Sequence, residues 1–281
     1  MSQIETVSTA MSHGGVQGVY RHRSQTCGCD MTFAVFVPPQ AKNGPVPVLW
    51  YLSGLTCTHA NVMEKGEYRR MAAERGMIVV CPDTSPRGDG VHDVADDWQI
   101  GMGAGFYVDA TAEPWARHYK MESYVRDELP RLLFDNFPGD PQRQGIFGHS
   151  MGGHGALTLA LKNPDRYRAC SAFAPIVNPS DAEWSKKALF AYLGGDAGAI
   201  RRADACLLIE DGARFSEFLV DQGQADGFLE DGLMPERLEA ACEKVGIPLI
   251  LRMRPGYDHS YFFISSFMED HLLWHAERLG V

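Results

Sequence analysis

The chain has 281 residues, of which 45% are hydrophobic and 22% charged, with a formal net charge of −10. That composition is ordinary for a globular protein with a real core, and the length allows one large α/β domain or two small ones. The negative balance disfavours nonspecific binding to nucleic acid or to an anionic membrane, and any anionic substrate would need a local basic patch.

The first thirty residues mix polar and small types, with no basic segment leading into an apolar one, so no signal peptide is expected. No apolar run approaches the ~20 residues that cross a bilayer. The seven cysteines are odd in number and scattered, and they read as reduced thiols of a cytosolic chain. Cys27 and Cys29 form a lone C-x-C without a second pair, which reads as a turn rather than a metal site.

Residues 31–37 predict an early strand, closed by Pro38 and Pro39. Residues 46–52 form a near-continuous apolar run, as a strand buried on both faces should. A helix is expected over 62–75, then a strand over 77–81 that Pro82 stops. The stretch 83–113 is rich in Gly and Asp and reads as a loop long enough to be functional. Residues 119–134 are amphipathic and helical. A short strand at 144–147 runs into a sharp turn at 148–152, followed by a helix through Leu161. Residues 168–174 predict a strand, 175–195 a helical excursion, and 215–220, 234–245 and 248–253 a strand, a helix and a strand. A last helix begins near Ser260. This alternation favours a mostly parallel sheet with helices on both faces. Nothing marks an internal boundary, so residues 1–281 are read as a single domain.

Gly148-His149-Ser150-Met151-Gly152 fits G-x-S-x-G, a weak pattern in a chain with 29 glycines. Its context is more specific. An apolar strand precedes it and a helix of small and apolar residues follows, which is the strand–turn–helix of a nucleophile elbow and points to an α/β-hydrolase fold. Ser150 is then the nucleophile, with helix N-terminal amides stabilising negative charge beside it. Acyl transfer also needs donors for the tetrahedral oxyanion. The Met151 amide is one candidate. The other is the Leu55 amide in Ser53-Gly54-Leu55-Thr56-Cys57, where Gly54 would allow the backbone conformation that turns this amide inward.

The base must follow the acid in this fold. His271 and His275 fall inside the last helix, on the side carrying Phe263, Phe267 and Met268, and read as packed side chains. His271 is also ~18 Å along the helix from His259, at 1.5 Å per residue. His259 follows the last strand directly, at the carboxyl edge where such sheets carry their sites, and is the expected base. For the acid, Asp221 and Asp226 stand near even, and Asp258, adjacent to the histidine, is the weakest candidate.

Several blocks then carry a resemblance: Leu52-Ser53-Gly54-Leu55-Thr56-Cys57, Pro82-Asp83-Thr84-Ser85-Pro86-Arg87-Gly88, Gly103-Ala104-Gly105-Phe106-Tyr107, Gly148-His149-Ser150-Met151-Gly152-Gly153-His154-Gly155, Ala172-Phe173-Ala174-Pro175-Ile176 and Gly256-Tyr257-Asp258-His259-Ser260-Tyr261. Together they resemble the esterase D family of S-formylglutathione hydrolases, from about Thr26 to the C-terminus. The resemblance implies a cytoplasmic homodimeric thioesterase that hydrolyses S-formylglutathione to glutathione and formate in formaldehyde detoxification, and that also cleaves small activated esters. It implies Asp226 as the acid, supports Leu55 and Met151 as oxyanion donors, and suggests that Cys57 is a redox-sensitive thiol near the site. The sequence departs from the family's pattern at Phe262, often a second tyrosine, and at Gly227, more often polar.

No cofactor is required by this chemistry. Asp93, Asp96 and Asp97 read as a solvated loop rather than metal ligands. Gly101-Met102-Gly103-Ala104-Gly105 lacks the βαβ context of a dinucleotide site. A broad carboxylesterase or an acyltransferase would use the same triad, and a catalytically silent binding protein would not need all three members.

Overall fold

All seven residues of Val46–Leu52 are buried, so this strand takes the centre of the sheet that its unbroken apolar run predicts. In the computed structural model, which describes residues 4–281, the strands are β1 (Glu5–Ser12), β2 (Gly15–Arg23), β3 (Asp30–Val37), β4 (Val46–Leu52), β5 (Ile78–Pro82), β6 (Gly139–His149), β7 (Ala169–Phe173), β8 (Phe218–Gly223) and β9 (Leu249–Arg254). They form one nine-stranded sheet in the order β1-β2-β3-β5-β4-β6-β7-β8-β9. The first three strands and the β3–β5 pairing are antiparallel; the remaining pairings are parallel. The fold is that of an α/β-hydrolase.

The β1–β2 hairpin was not legible in the sequence. Every residue of β1 but the last is exposed, so it carries no apolar alternation and is held by its hydrogen-bond ladder to β2. Its two-residue turn puts His13 and Gly14 at φ 48° and 77°, which matches the strand twist as primed turns do.

The helix expected over 62–75 is two helices, His59–Lys65 and Arg69–Arg75. Gly66 lies so close to Val62 that a Cβ there would stand 2.6 Å from its Cγ2, and Glu67 turns to φ 55°. Thr58 starts the first helix, accepting from the Ala60 amide, while the Asn61 side chain accepts from the Thr58 amide. The long 83–113 stretch is free of named strands and helices. The helical run over 121–136 contains a π turn at Tyr124–Glu128. Two unforeseen short helices, Ala197–Arg201 and Ala205–Glu210, are each capped by an aspartate, Asp196 and Asp204.

The last helix, Tyr261–Leu279, is capped by the Ser260 hydroxyl and packs its Phe263, Leu272 and His275 side of the molecule into the core. His271 and His275 are fully buried there. They share the Ser171 hydroxyl, at 2.8 Å from His271 Nδ1 and 2.9 Å from His275 Nε2. No disulfide links the seven cysteines, six of which are buried, Cys27 and Cys29 among them. Among the described residues no helix is long and apolar enough to cross a membrane.

The parallel register decides where the loops gather. Leu52 pairs with Gly148, His149 with Phe173, Phe173 with Asp221, and Gly223 with Arg254. The loops that leave β4, β6, β8 and β9 therefore emerge along one carboxyl edge, and these four carry the residues singled out above.

Candidate active site

Ser150 stands alone between β6 and the helix Met151–Lys162, at φ 57° and ψ −118°. For a non-glycine residue that is a strained conformation, and it persists only when the surroundings over-determine it. They do so here. The Ser150 amide donates to the Phe173 carbonyl at 2.9 Å, and its own carbonyl accepts from His154 and Ile176. A Cβ on Gly152 would stand 1.9 Å from the Leu52 carbonyl oxygen, and one on Gly148 2.4 Å from the Gly152 oxygen. The two glycines of the motif are thus required by backbone approach across the turn.

Asp226 and His259 leave different strands and meet: His259 Nδ1 lies 2.6 Å from Asp226 Oδ2. Gln222 Nε2 donates to the same oxygen at 3.2 Å and the Phe228 amide to Oδ1 at 2.9 Å. With Nδ1–H donating to the carboxylate, Nε2 is left as the acceptor. Asp221 is occupied elsewhere. It is fully buried, bonded in pairs by Arg252 (2.6 and 2.8 Å) and Arg254 (3.2 and 3.2 Å), and reached by His271 Nε2 at 3.3 Å. Burial alone would raise its carboxyl, but the His271 bond and the two guanidiniums outweigh that and hold it far below the usual carboxylate range. Asp258 instead caps the last helix through Ser260.

Ser150 and His259 line one cavity of about 240 Å³ with Leu55, Thr56, Trp98, His149 and Phe228. Four of these escaped the sequence reading. The His149 ring lies 4.4 Å from that of His259; burial first, and the like charge of His259 second, hold it neutral. Phe228 meets the His259 ring edge-on at 5.1 Å, and Trp98 faces Phe228 at 6.5 Å. The only signals were indirect: His149 fills a free position of the motif, Phe228 follows Asp226 by two residues, and Trp98 sits in the long loop.

Leu55 lies on the cavity wall, but Gly54 does not have the role expected of it. The left-handed residue of this loop is Thr56, at φ 65°. Gly54 is needed for close approach instead, since a Cβ would meet His149 Nδ1 and Ser150 Cβ, both at 3.1 Å. The loop is tethered on both sides. Thr56 donates to the Gly103 carbonyl at 2.9 Å, and Tyr107 Oη donates to the Ser53 carbonyl at 2.9 Å. The Cys57 carbonyl accepts from the Thr84 hydroxyl and from Arg87 Nη2 at 3.1 Å, while Arg87 Nε grips both oxygens of Asp83 at 3.0 Å. The Cys57 thiol does not line the cavity, and burial pushes its pKa up despite the Tyr261 hydroxyl beside it.

The glycine-rich stretch packs against this loop and the nucleophile helix. Met151 Sδ lies 3.3 Å from the Phe106 amide, and His154 Nε2 2.9 Å from the Phe106 carbonyl. Asp93 accepts from the Met102 amide at 2.7 Å, and Asp97 pairs with Lys187. Among the described residues no group of three His, Cys, Asp or Glu side chains converges as a metal site.

The sequence matches the family described as "Putative esterase" over residues 24–274. It is 56% identical to the S-formylglutathione hydrolase of Paracoccus denitrificans (strain Pd 1222), over 98% of each chain. It is 50% identical to the S-formylglutathione hydrolase of Mus musculus, over 99% of each. The solved structure of an S-formylglutathione hydrolase from Agrobacterium tumefaciens superposes with a TM-score of 0.97 at 64% identity, covering 98% of this chain and 99% of the other. The chain belongs to the S-formylglutathione hydrolase family of esterases. The two positions that the sequence reading sets apart from the family's pattern, Phe262 and Gly227, lie at the surface. Phe262 is 84% exposed, and Gly227 faces open space with no atom within 4 Å of a built Cβ. The loop around Gly227 is nonetheless pinned, through Gln222 and Phe228 on the Asp226 carboxylate.

Proposed function

We propose that this protein is a serine thioesterase that hydrolyses S-formylglutathione to glutathione and formate, with Ser150 as nucleophile, His259 as base and Asp226 as the acid that orients it. One observation carries the reading: a 2.6 Å Asp226–His259 hydrogen bond opens onto the same cavity as a serine in a strained strand-to-helix turn. The names of the relatives at 50–56% identity over 98–99% of the chain support the choice of substrate.

His259 Nε2 takes the Ser150 proton as Oγ attacks the thioester carbonyl carbon. The Leu55 and Met151 amides receive the oxyanion. Collapse breaks the C–S bond, and the imidazolium returns its proton to the departing thiolate. Water then enters, His259 takes one of its protons, and the hydroxide attacks the formyl-serine ester. Breaking the C–O bond returns the proton from His259 to Ser150 and releases formic acid, which ionises to formate in water. Asp226 holds the tautomer and stabilises the imidazolium. His149, kept neutral by burial, adds no second positive charge beside it. No cofactor enters these steps.

The reading extends to a single α/β-hydrolase domain acting as a cytoplasmic homodimer in formaldehyde catabolism, with neither nucleic acid nor membrane as partner. Cys57 keeps a part in it as a thiol whose modification would disturb the Leu55 loop. The test is kcat/KM for S-formylglutathione against 4-nitrophenyl acetate, in wild type and Ser150→Ala. A marked preference for the thioester, and a loss of about 10⁴–10⁶ in rate for the variant, is expected. Equal preference would favour a broad carboxylesterase, and a Ser150→Ala variant with near-normal turnover would refute the assignment.

A further inference from the structure

The catalytic cavity is too small and too apolar to hold the whole substrate proposed above. Its lining contains no lysine or arginine, whereas the glutathione leaving group carries two carboxylates and one ammonium. On a chain with a formal charge of −10, those carboxylates need cations placed for them.

A second cavity, of about 900 Å³, is lined by chain neighbours of the first. Trp98 and Phe228 line the first; Gln99, next to Trp98, and Glu230, two residues past Phe228, line the second together with Asp181, Lys187, Asp231 and Arg237. Its charges are mixed in the way a zwitterionic peptide requires. Lys187 pairs with Asp97, and Arg237 with Asp181 and the Asn178 side chain. Lys187 and Arg237 are 52% and 40% exposed, and pairs that wet exchange one carboxylate for another at little cost. Glu230 and Asp231 are exposed and offer acceptors for an ammonium. Asp97 is one residue from Trp98, so a ligand drawing on Lys187 acts beside the aromatic wall of the catalytic cavity.

We propose that this groove is the leaving-group subsite: Lys187 and Arg237 take the carboxylates of the tripeptide thiol, and Glu230 and Asp231 its ammonium. The assignment rests on the formylglutathione reading. It places the formyl thioester at Ser150 and the peptide beyond the Trp98–Phe228 pair, so that recognition of the peptide is separated from the chemistry.

The experiment measures S-formylglutathione and 4-nitrophenyl acetate kinetics, with glutathione as product inhibitor, for wild type, Lys187→Gln, Arg237→Gln and the double variant. Lys244→Gln, exposed at the far end of the helix that begins beside Arg237 and outside the groove lining, is the control and should match wild type. Each single variant should raise KM for S-formylglutathione and the glutathione inhibition constant about threefold to tenfold. The thioester-to-aryl-ester ratio of kcat/KM should fall by the same factor. Because Arg237 also anchors Asn178, Lys187→Glu provides a second route should the arginine variant fold poorly, with a larger rise expected. An unchanged ratio in Lys187→Glu and the double variant overturns the subsite while leaving the hydrolase reading intact. A wild type that shows no preference for S-formylglutathione overturns that reading, and the subsite with it.

Discussion

Asp221 and His271 meet at 3.3 Å in the interior, five residues before Asp226 and twelve after His259, in a carboxylate–imidazole pair that does not line the cavity of Ser150 and His259. Two guanidiniums neutralise this carboxylate. A continuous donor chain runs beside it, from His275 Nε2–H to the Ser171 hydroxyl, on to His271 Nδ1, and from His271 Nε2–H to Asp221. The two pairs should respond oppositely to the same substitution. Asp226→Asn should lower kcat by roughly 10³–10⁴ with little change in stability. Asp221→Asn should cost about 3–5 kcal/mol of stability, because it leaves buried partners uncompensated, while the folded fraction keeps its turnover. Urea unfolding with steady-state kinetics on both variants checks this, and reversed effects would exchange the two roles.

Four of the buried histidines, His149, His154, His271 and His275, give the fold an acid limit. Burial lowers His149 and His275 well below their ordinary value, lowers His271 against the pull of Asp221, and brings His154 to about 4. A histidine depressed in the folded state contributes stability that is present above its unfolded pKa of ~6.5 and is lost as pH falls below it. The unfolded chain then binds protons that the folded one refuses, with a slope of at most ~1.4 kcal/mol per pH unit for each. The urea midpoint should therefore hold from pH 8 to 7 and drop steeply between pH 6.5 and 4.5. A flat profile across that window would show that these rings accept protons in place.

Gly54→Ala tests the approach between the oxyanion loop and the nucleophile turn. The added methyl would stand 3.1 Å from both His149 Nδ1 and Ser150 Cβ, and the backbone conformation itself needs no glycine. We expect kcat for the thioester to fall at least tenfold, with a stability loss of about 1–3 kcal/mol from overpacking. Retained kcat would mean that the loop yields freely, so that Leu55 is not held against the oxyanion.

Arg87→Met removes the tether on the Cys57 carbonyl and leaves the buried Asp83 unpaired. Expected are a loss of about 3 kcal/mol of stability and a fall in kcat with KM little changed, since in the proposed mechanism the loop supplies a transition-state donor. A variant with altered KM and normal kcat would assign Arg87 to substrate binding instead.

The Cys57 thiol, raised by burial, should carry less thiolate at pH 7 than a free cysteine. Wild type and Cys57→Ser should then lose activity to iodoacetamide at equal rates at pH 7, and wild type should lose it faster only above pH 9. Faster loss in wild type at neutral pH would establish a reactive thiol.

Much of this was legible in the chain. The apolar run at 46–52, the G-x-S-x-G turn and the position of His259 after the last strand each follow from a local pattern with one physical solution. The β1 hairpin was not legible, because an exposed edge strand has no buried face to leave an imprint. The break at Gly66 was not legible either, since it depends on how close Val62 comes.

By itself the sequence determined the strand–turn–helix around Ser150, because strand periodicity, glycine freedom and a following helix are short-range properties. It left Asp221 and Asp226 equal by local pattern, since both leave the same strand. The family resemblance pointed to Asp226, and the tertiary structure supplies the physical difference between the two: the parallel pairing of β8 with β9 sets Arg252 and Arg254 against Asp221, and the turn beyond β8 carries Asp226 to His259. The same is true of Gly54, whose need for a bare backbone comes from His149 and Ser150, ninety-five and ninety-six residues away. A contact at that distance along the chain exists only once the sheet has fixed which strand ends lie side by side.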